Sequence, residues 1–328
     1  MKSVISSTER NKNRADEASA PCRKEYVKIN GISEYLLHYP AAPEAPVFLH
    51  IHGGPGAPAS VFAYLVEAFP RNYIIVYYDQ RGAGKTLRKN PFAKLSIALL
   101  KQDLLETVLY VKRVYGKEKI GLIGHSWGSV LGSAFAIEHP EHISCYIGCG
   151  QMYCFRENEE NAYSLLREAI AQSGDEKAKR ALRRLDRYPA ERCSMRALVD
   201  VTRMRALQGR FGLAMTMDAE AKRIFRRSPV TDRLDLLFFA LGSLRSTTVM
   251  REFWNYDLRD LGYAYQMPVC YIMGDMDRTT PYELAREYFD KLDAPGKTWY
   301  SIPDAGHFAM LDNVEAWRYI LREIAVEA

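Results

Sequence analysis

Hydrophobic and polar positions along the chain follow two rhythms. From Lys24, KEYVKI and SEYLLHY alternate apolar and polar residues around Asn30-Gly31, the dipeptide best suited to a two-residue hairpin turn. Short continuous apolar runs follow: PVFLHI (Pro46–Ile51), YIIVYY (Tyr73–Tyr78), KIGLIG (Lys119–Gly124) and HISCYIGCG up to Gly150. Between them, helical spacing of apolar positions predicts helices near Ser60–Phe69, over Leu95–Tyr115, and from the HSWGS segment to about His139. Strand-like runs separated by helices indicate a parallel sheet covered on both faces. After Gly150 the strand runs stop, and residues 151–262 read as helical throughout. The first rhythm returns with PVCYIMG (Pro268–Gly274), a helix over Tyr282–Leu292, the strand KTWYSI and a last helix from Val314. The expected organisation is one α/β unit, residues 24–150 and 263–328, interrupted by a helical domain at 151–262. Residues 1–23 carry charge without an apolar core, and are expected to be a disordered leading segment rather than a secretory signal.

Three loops at strand ends carry candidate chemistry. Gly124-His125-Ser126-Trp127-Gly128 joins an apolar strand to a helix, the context in which G-x-S-x-G forms a nucleophile elbow that lifts Ser126 out of the sheet. A serine hydroxyl needs a base held by a third group. In this order of elements the acid and the histidine follow later strands. Of seven histidines, His307 alone lies downstream in such a position, just after KTWYSI. The acid should follow PVCYIMG, where Asp275 and Asp277 compete. Asp277 stands further along the loop, where it could reach an imidazole, and Asp275 is placed to cap or brace that loop. Acyl transfer also needs preorganised donors for an oxyanion. His52-Gly53-Gly54-Pro55-Gly56 and the residue after the serine supply them, assigned to the backbones of Gly54 and Trp127. DQRGAGKT (Asp79–Thr86) ends like a phosphate loop, but Asp79 stands where that motif requires its first glycine. It is expected to be a structural loop in which Asp79 and Arg81 brace the site.

Composition narrows the class. Apolar residues at 48% and charged residues at 26% are ordinary for a globular chain of 328 residues. The six cysteines form no C-x-x-C pair and are expected to be reduced. No apolar run reaches the roughly 18 residues of a membrane helix, which leads to the expectation of a soluble cytoplasmic protein without membrane partners. The net charge of +5 lies wholly in 151–262, where 21 Lys and Arg face 16 Asp and Glu. That argues against a nucleic-acid stripe. It also makes an unusual lid for a cationic substrate, and would equally suit one bearing a carboxylate. No metal or organic cofactor is called for, and the substrate is expected to be a small molecule or short peptide. The oligomeric state is not readable from these patterns.

Taken in order, HGGPG, DQRGAGKT, GHSWGS, the Gly274–Asp277 loop and the late Gly306-His307 resemble the prolyl iminopeptidase-like branch (peptidase family S33) of the α/β-hydrolases. The resemblance covers roughly 24–150 and 263–328. It implies the α/β-hydrolase fold, a mostly parallel doubly wound sheet with an inserted helical cap. It also implies a Ser126–Asp277–His307 triad, with Gly54 and Trp127 as oxyanion donors. The implied reaction is release of an N-terminal residue, often proline, from short peptides by a serine aminopeptidase, with acidic cap residues holding the free amine. The W-x-x-W-E segment of well-known bacterial members is missing from 151–262. The candidates left there are Glu157, Glu159 and Glu160, which read more readily as a solvated helix start, and Trp254 in the only Trp-bearing cap segment. An esterase, lactonase or amidase on a small acyl substrate would use the same triad. Epoxide hydrolases and dehalogenases would need an aspartate in place of Ser126. A non-catalytic receptor on this fold is the alternative from outside enzymology.

Overall fold

A computed structural model of the chain describes residues 22–61, 63, 72–213, 228 and 230–327. Most of the leading segment and most of the helix expected at Ser60–Phe69 lie outside the described residues. The sequence-predicted strands all form: β1 (Arg23–Ile29), β2 (Ile32–Tyr39), β3 (Val47–Ile51), β4 (Ile74–Asp79), β5 (Ile120–His125), β6 (Ile143–Cys149), β7 (Val269–Gly274) and β8 (Lys297–Ile302). They build one sheet in the order β1-β2-β4-β3-β5-β6-β7-β8. The hairpin of β1 and β2 pairs antiparallel with itself and with β4, and every other neighbour is parallel. Asn30 and Gly31 both adopt positive φ, 39° and 76°, the backbone that a two-residue hairpin requires.

Side chains alternate across this sheet, so each central strand feeds two cores. Val47, Leu49 and Ile51 of β3, with Tyr146 of β6 and Tyr271 of β7, pack on one face against α2 (Ile97–Tyr115) and α3 (Trp127–Glu138). Phe48, Ile147 and Ile272 face the other way, toward Trp317, Ile320 and Leu321 of α10 (Val314–Glu327). The helix α2 begins at an Ser96 cap, whose side chain accepts from Leu99 N, and ends at Gly116 in the left-handed region. Between β4 and α2, Gly84–Lys89 forms a short helix, α1. This corrects the expectation that DQRGAGKT is loop throughout: its second half is helical, because Asp79 Oδ2 accepts from Lys85 N at 2.8 Å and so caps the first turn.

Between β6 and β7 the chain forms α4 (Phe155–Ser173), α5 (Glu176–Leu182), α6 (Met195–Arg210) and α7 (Arg233–Phe253). Ala162, Leu166, Ile170, Tyr188 and Met204 give α4 to α6 a small core of their own, and α7 packs on the main core through Val249 and Phe253. The remaining helices, α8 (Tyr282–Asp290) and α9 (Ala309–Asp312), flank the last strands. All six cysteines are free. Among the described residues, no helix is long and apolar enough to cross a membrane.

Candidate active site

Three strand ends converge at the carboxyl edge of the sheet, where open α/β sheets place ligands. β5 ends at His125, α3 begins at Trp127, and Ser126 between them is held at φ 55°, a strained conformation for a residue with a side chain. The flanking glycines are dictated by crowding. A Cβ at Gly128 would lie 2.1 Å from the Ile51 carbonyl oxygen, and one at Gly124 would lie 2.5 Å from Gly128 O. Ser126 N–H donates to Cys149 O at 3.0 Å, which ties the elbow to the end of β6. The HGGPG loop presses on it from above: a Cβ at Gly53 would stand 3.1 Å from Ser126 Cβ.

The β7 and β8 ends are stitched together by Asp275 N–H to Ile302 O at 3.2 Å and Met276 N–H to Ala305 O at 2.9 Å. On these loops His307 Nδ1 and Asp277 Oδ2 stand 2.9 Å apart, with the carboxylate fully buried. The other oxygen of Asp277 accepts from the backbone N–H groups of Thr279 and Thr280, both at 2.9 Å. Thr280 Oγ1 donates to Asp277 Oδ2 at 2.7 Å and lies 3.1 Å from His307 Nδ1. Burial alone would raise the Asp277 pKa, but His307 and the Thr280 donors outweigh it and hold the carboxyl below its ordinary value. Among the described residues, Asp275 Oδ1 has no hydrogen-bond partner. The imidazole of His307 lies against Gly150, whose Cβ would sit 3.0 Å from the ring's Cε1. Gly150 directly follows the carbonyl that holds Ser126 N, so serine, imidazole and carboxylate come together on adjacent strand ends.

Two further histidines, which motif reading passed over, complete the floor. His125 Nε2 donates to the His307 carbonyl oxygen at 3.0 Å, and its ring centroid lies 4.9 Å from that of His307. Burial first, and then the neighbouring His307, push the His125 pKa down to about 3. His52 Nε2 accepts from Gln80 N at 3.0 Å, so its proton resides on Nδ1, 2.8 Å from Gly53 O. Gln80 binds back to His52 O at 2.8 Å and accepts from the Trp127 indole at 3.1 Å. One glutamine thus joins the HGGPG loop, the DQRG segment and the elbow. Asp79 and Arg81 do brace this floor. Asp79 accepts from Ser60 N, Ser60 Oγ and Lys85 N, and Arg81 pairs through two nitrogens with Asp103 at 2.6 and 2.9 Å.

The four candidates of the helical insertion separate. Trp254 is buried, its ring 5.2 Å from Phe155 and its indole donating to Ala190 O at 2.8 Å, a core position rather than a pocket wall. Glu160 is half exposed and pairs with Arg156 along the outer face of α4. Glu157 accepts from Tyr153 OH and Arg259, and Arg259 also holds Asp257. That guanidinium pairs with both carboxylates of the one group among the described residues able to gather three metal-ligand atoms, Cys154, Glu157 and Asp257. Glu159 is fully buried, bonded to Tyr188 and Arg205. Arg205 in turn bonds Gln208 Oε1 at 2.7 Å, and Gln208 Nε2 reaches Arg278 O at 3.4 Å. With Asn158 Nδ2 donating to Thr279 O at 2.8 Å, the helical insertion grips the backbone of the loop that bears Asp277. Several basic side chains of this stretch pair with its own carboxylates, as Arg205, Arg210 and Arg259 show, and the excess of +5 remains.

Residues 46–314 match the family described as alpha/beta hydrolase fold. The chain is 23% identical to the probable aminopeptidase YbaC of Bacillus subtilis, over 89% of each chain. It is 31% identical to a proline iminopeptidase of Neisseria gonorrhoeae over a shorter stretch, 42% of this chain and 43% of that one. The crystal structure of a proline iminopeptidase from Mycobacterium smegmatis superposes with a TM-score of 0.69 at 18% identity, covering 93% of this chain and 98% of that one. A match spanning most of the sequence, on a sheet of this order, makes the chain a member of the α/β-hydrolase fold family.

Proposed function

We propose that the chain is a serine hydrolase that forms an acyl-enzyme at Ser126, and that it acts as an aminopeptidase releasing proline or another N-terminal residue from short peptides. The observation that carries the hydrolase reading is the Asp277–His307 pair, 2.9 Å apart and set against Gly150 beside the anchored Ser126. In the proposed sequence His307 takes the Ser126 proton as the hydroxyl attacks the scissile carbonyl, then delivers it to the departing amine. Asp277 fixes the Nδ1–H tautomer and stabilises the imidazolium. The oxyanion falls between the Gly53-Gly54 loop and Trp127, whose N–H is among the first of α3 and has no intrahelical acceptor. Water entering by the reverse route completes the cycle. Residues 151–262 act as the cap over this edge, consistent with their grip on the Asp277 loop.

The peptide specificity rests on similarity to the aminopeptidase and proline iminopeptidases named above. An elbow and triad would act equally on an ester. A panel of prolyl- and other aminoacyl-arylamides, their N-blocked forms and short acyl esters separates the two. Preference for the free amine supports the aminopeptidase; indifference to blocking assigns an esterase or amidase. Ser126→Ala should lower turnover of every accepted substrate at least about a thousand-fold, and retention above that level would remove Ser126 from the nucleophile's role.

A further inference from the structure

Helix α7 carries two seams on opposite sides. The inner one, Asp235, Gly242, Val249 and Phe253, is buried. Lys85 Nζ meets Asp235 Oδ2 at 2.6 Å, and a Cβ at Gly242 would lie 2.8 Å from Gly56 O, so the helix rests directly on the HGGPG loop. The outer seam is Leu234, Leu237, Leu241 and Leu244, exposed by 49%, 54%, 37% and 67%. Its steps of three, four and three residues continue through the exposed Thr248 and Arg251. That is the spacing of a seam between two paired helices, and a solvated face would not repeat leucine at four successive such positions. Leu236, exposed by 49%, widens the patch on one side. Phe92, exposed by 94%, extends it past α7, because Arg245 donates to the carbonyls of both its neighbours, Pro91 and Ala93.

We infer that the outer seam of α7 is the contact of a two-fold dimer, in which α7 packs antiparallel against α7 of a second copy. The seam is its own complement. A two-fold axis at Leu241 sets that residue against its counterpart, Leu237 against Leu244, and Leu234 against Thr248. The same register brings Asp232, at the acidic start of the helix, opposite Arg251 near its basic end, and aligns the two helix dipoles head to tail. An unrelated partner would need none of this symmetry. The inference does not depend on the catalytic reading.

Sedimentation velocity of the full chain from about 1 to 100 μM covers the range expected of a modest interface. The expected result is a concentration-dependent dimer that the double variant Leu237→Glu/Leu241→Glu converts to monomer, with the thermal midpoint of the parent at concentrations where the parent is itself monomeric, since both side chains are exposed. Leu241→Cys should give a disulfide-linked dimer under mild oxidant, and the parent protein with its six native cysteines should not. A monomer throughout would overturn the inference, and so would a dimer indifferent to the double variant or a dimer in which residue 241 does not crosslink. A monomer that co-sediments with phosphatidylcholine vesicles through these leucines would assign the seam to a lipid surface and overturn it equally.

Discussion

Replacing His125 by Phe tests whether the residue beside the serine positions the base. The substitution keeps a ring of similar size, and with it the contacts 4.9 Å from both His307 and Phe308. It removes one donor, the Nε2–H that meets the His307 carbonyl at 3.0 Å. A carbonyl left without its partner in a largely dry site costs about 1–3 kcal/mol, against about 1 kcal/mol for an ordinary hydrogen bond. Because the bond is made by the backbone of His307 itself, relaxation of that residue would swing the imidazole relative to Ser126. At 1.36 kcal/mol per decade, the expected loss of serine reactivity is roughly ten-fold. The assay is the second-order rate of Ser126 labelling by a fluorophosphonate, which requires no knowledge of the substrate. His125→Gln, whose side-chain amide can reach the same carbonyl, should recover most of the rate, and thermal melts confirm that all variants are folded. If the parent protein labels at Ser126 and His125→Phe labels equally fast, the positioning argument is wrong. If the parent does not label at all, the nucleophile assignment fails first.

Three other outcomes follow from the geometry of the site and its floor. Asp277→Asn should cost about 10⁴ in kcat and Asp275→Asn less than ten-fold, because of the two aspartates it is Asp277 that bonds the imidazole; equal, mild losses would refute the acid assignment. Gly128→Ala drives a methyl to 2.1 Å from Ile51 O, a backbone atom of a central strand, and should destabilise the fold by more than about 3 kcal/mol in urea melts; a shift under about 1 kcal/mol would mean that the elbow can yield. Asp79 is fully buried, and burial outweighs its three donors to raise the pKa to about 6. A raised acid favours the fold below its unfolded pKa, and that stability is lost as pH climbs through the folded value. Between pH 4 and 6 the parent protein should therefore lose about 1.4 kcal/mol per pH unit relative to Asp79→Asn, a difference readable from urea midpoints at each pH. Parallel pH profiles for the two proteins would show that Asp79 ionises freely.

Sheet and elbow were legible because each rests on local chemistry. Apolar runs such as VFLHI and VCYIMG can only be buried strands, and Gly124 and Gly128 are small because backbone oxygens stand where their side chains would go. The order of acid and histidine followed from the order of strands. Less legible was whatever depends on partners distant in sequence. α1 spans only six residues, and its first turn is capped by Asp79, which precedes it across a turn. The acidic run after Gly150 read as one group, but folding sends Glu159 inward to Arg205, Glu157 to Arg259 and Glu160 to solvent. Helical periodicity fixes which face a residue occupies, not which neighbour meets that face. Thr280 and His125 carry no motif of their own, and only the packing of β7 and β8 reveals what they touch.

The position of the helical insertion also sets a schedule. β6 ends at Cys149 and its neighbour β7 begins at Val269, so about 120 residues must be synthesised before that edge of the sheet can be paired. At about 5–20 residues per second, β6 stands as an open edge for on the order of ten seconds. Its run of Cys145, Tyr146, Ile147 and Cys149 is the kind of strand that recruits stray chains. A nascent chain at that stage holds Ser126 on a finished elbow with neither Asp277 nor His307 yet made. On the proposed mechanism, reactivity of the serine would report that the last strands have docked, and synthesis of the helical insertion is the interval during which newly made chains are most exposed to aggregation.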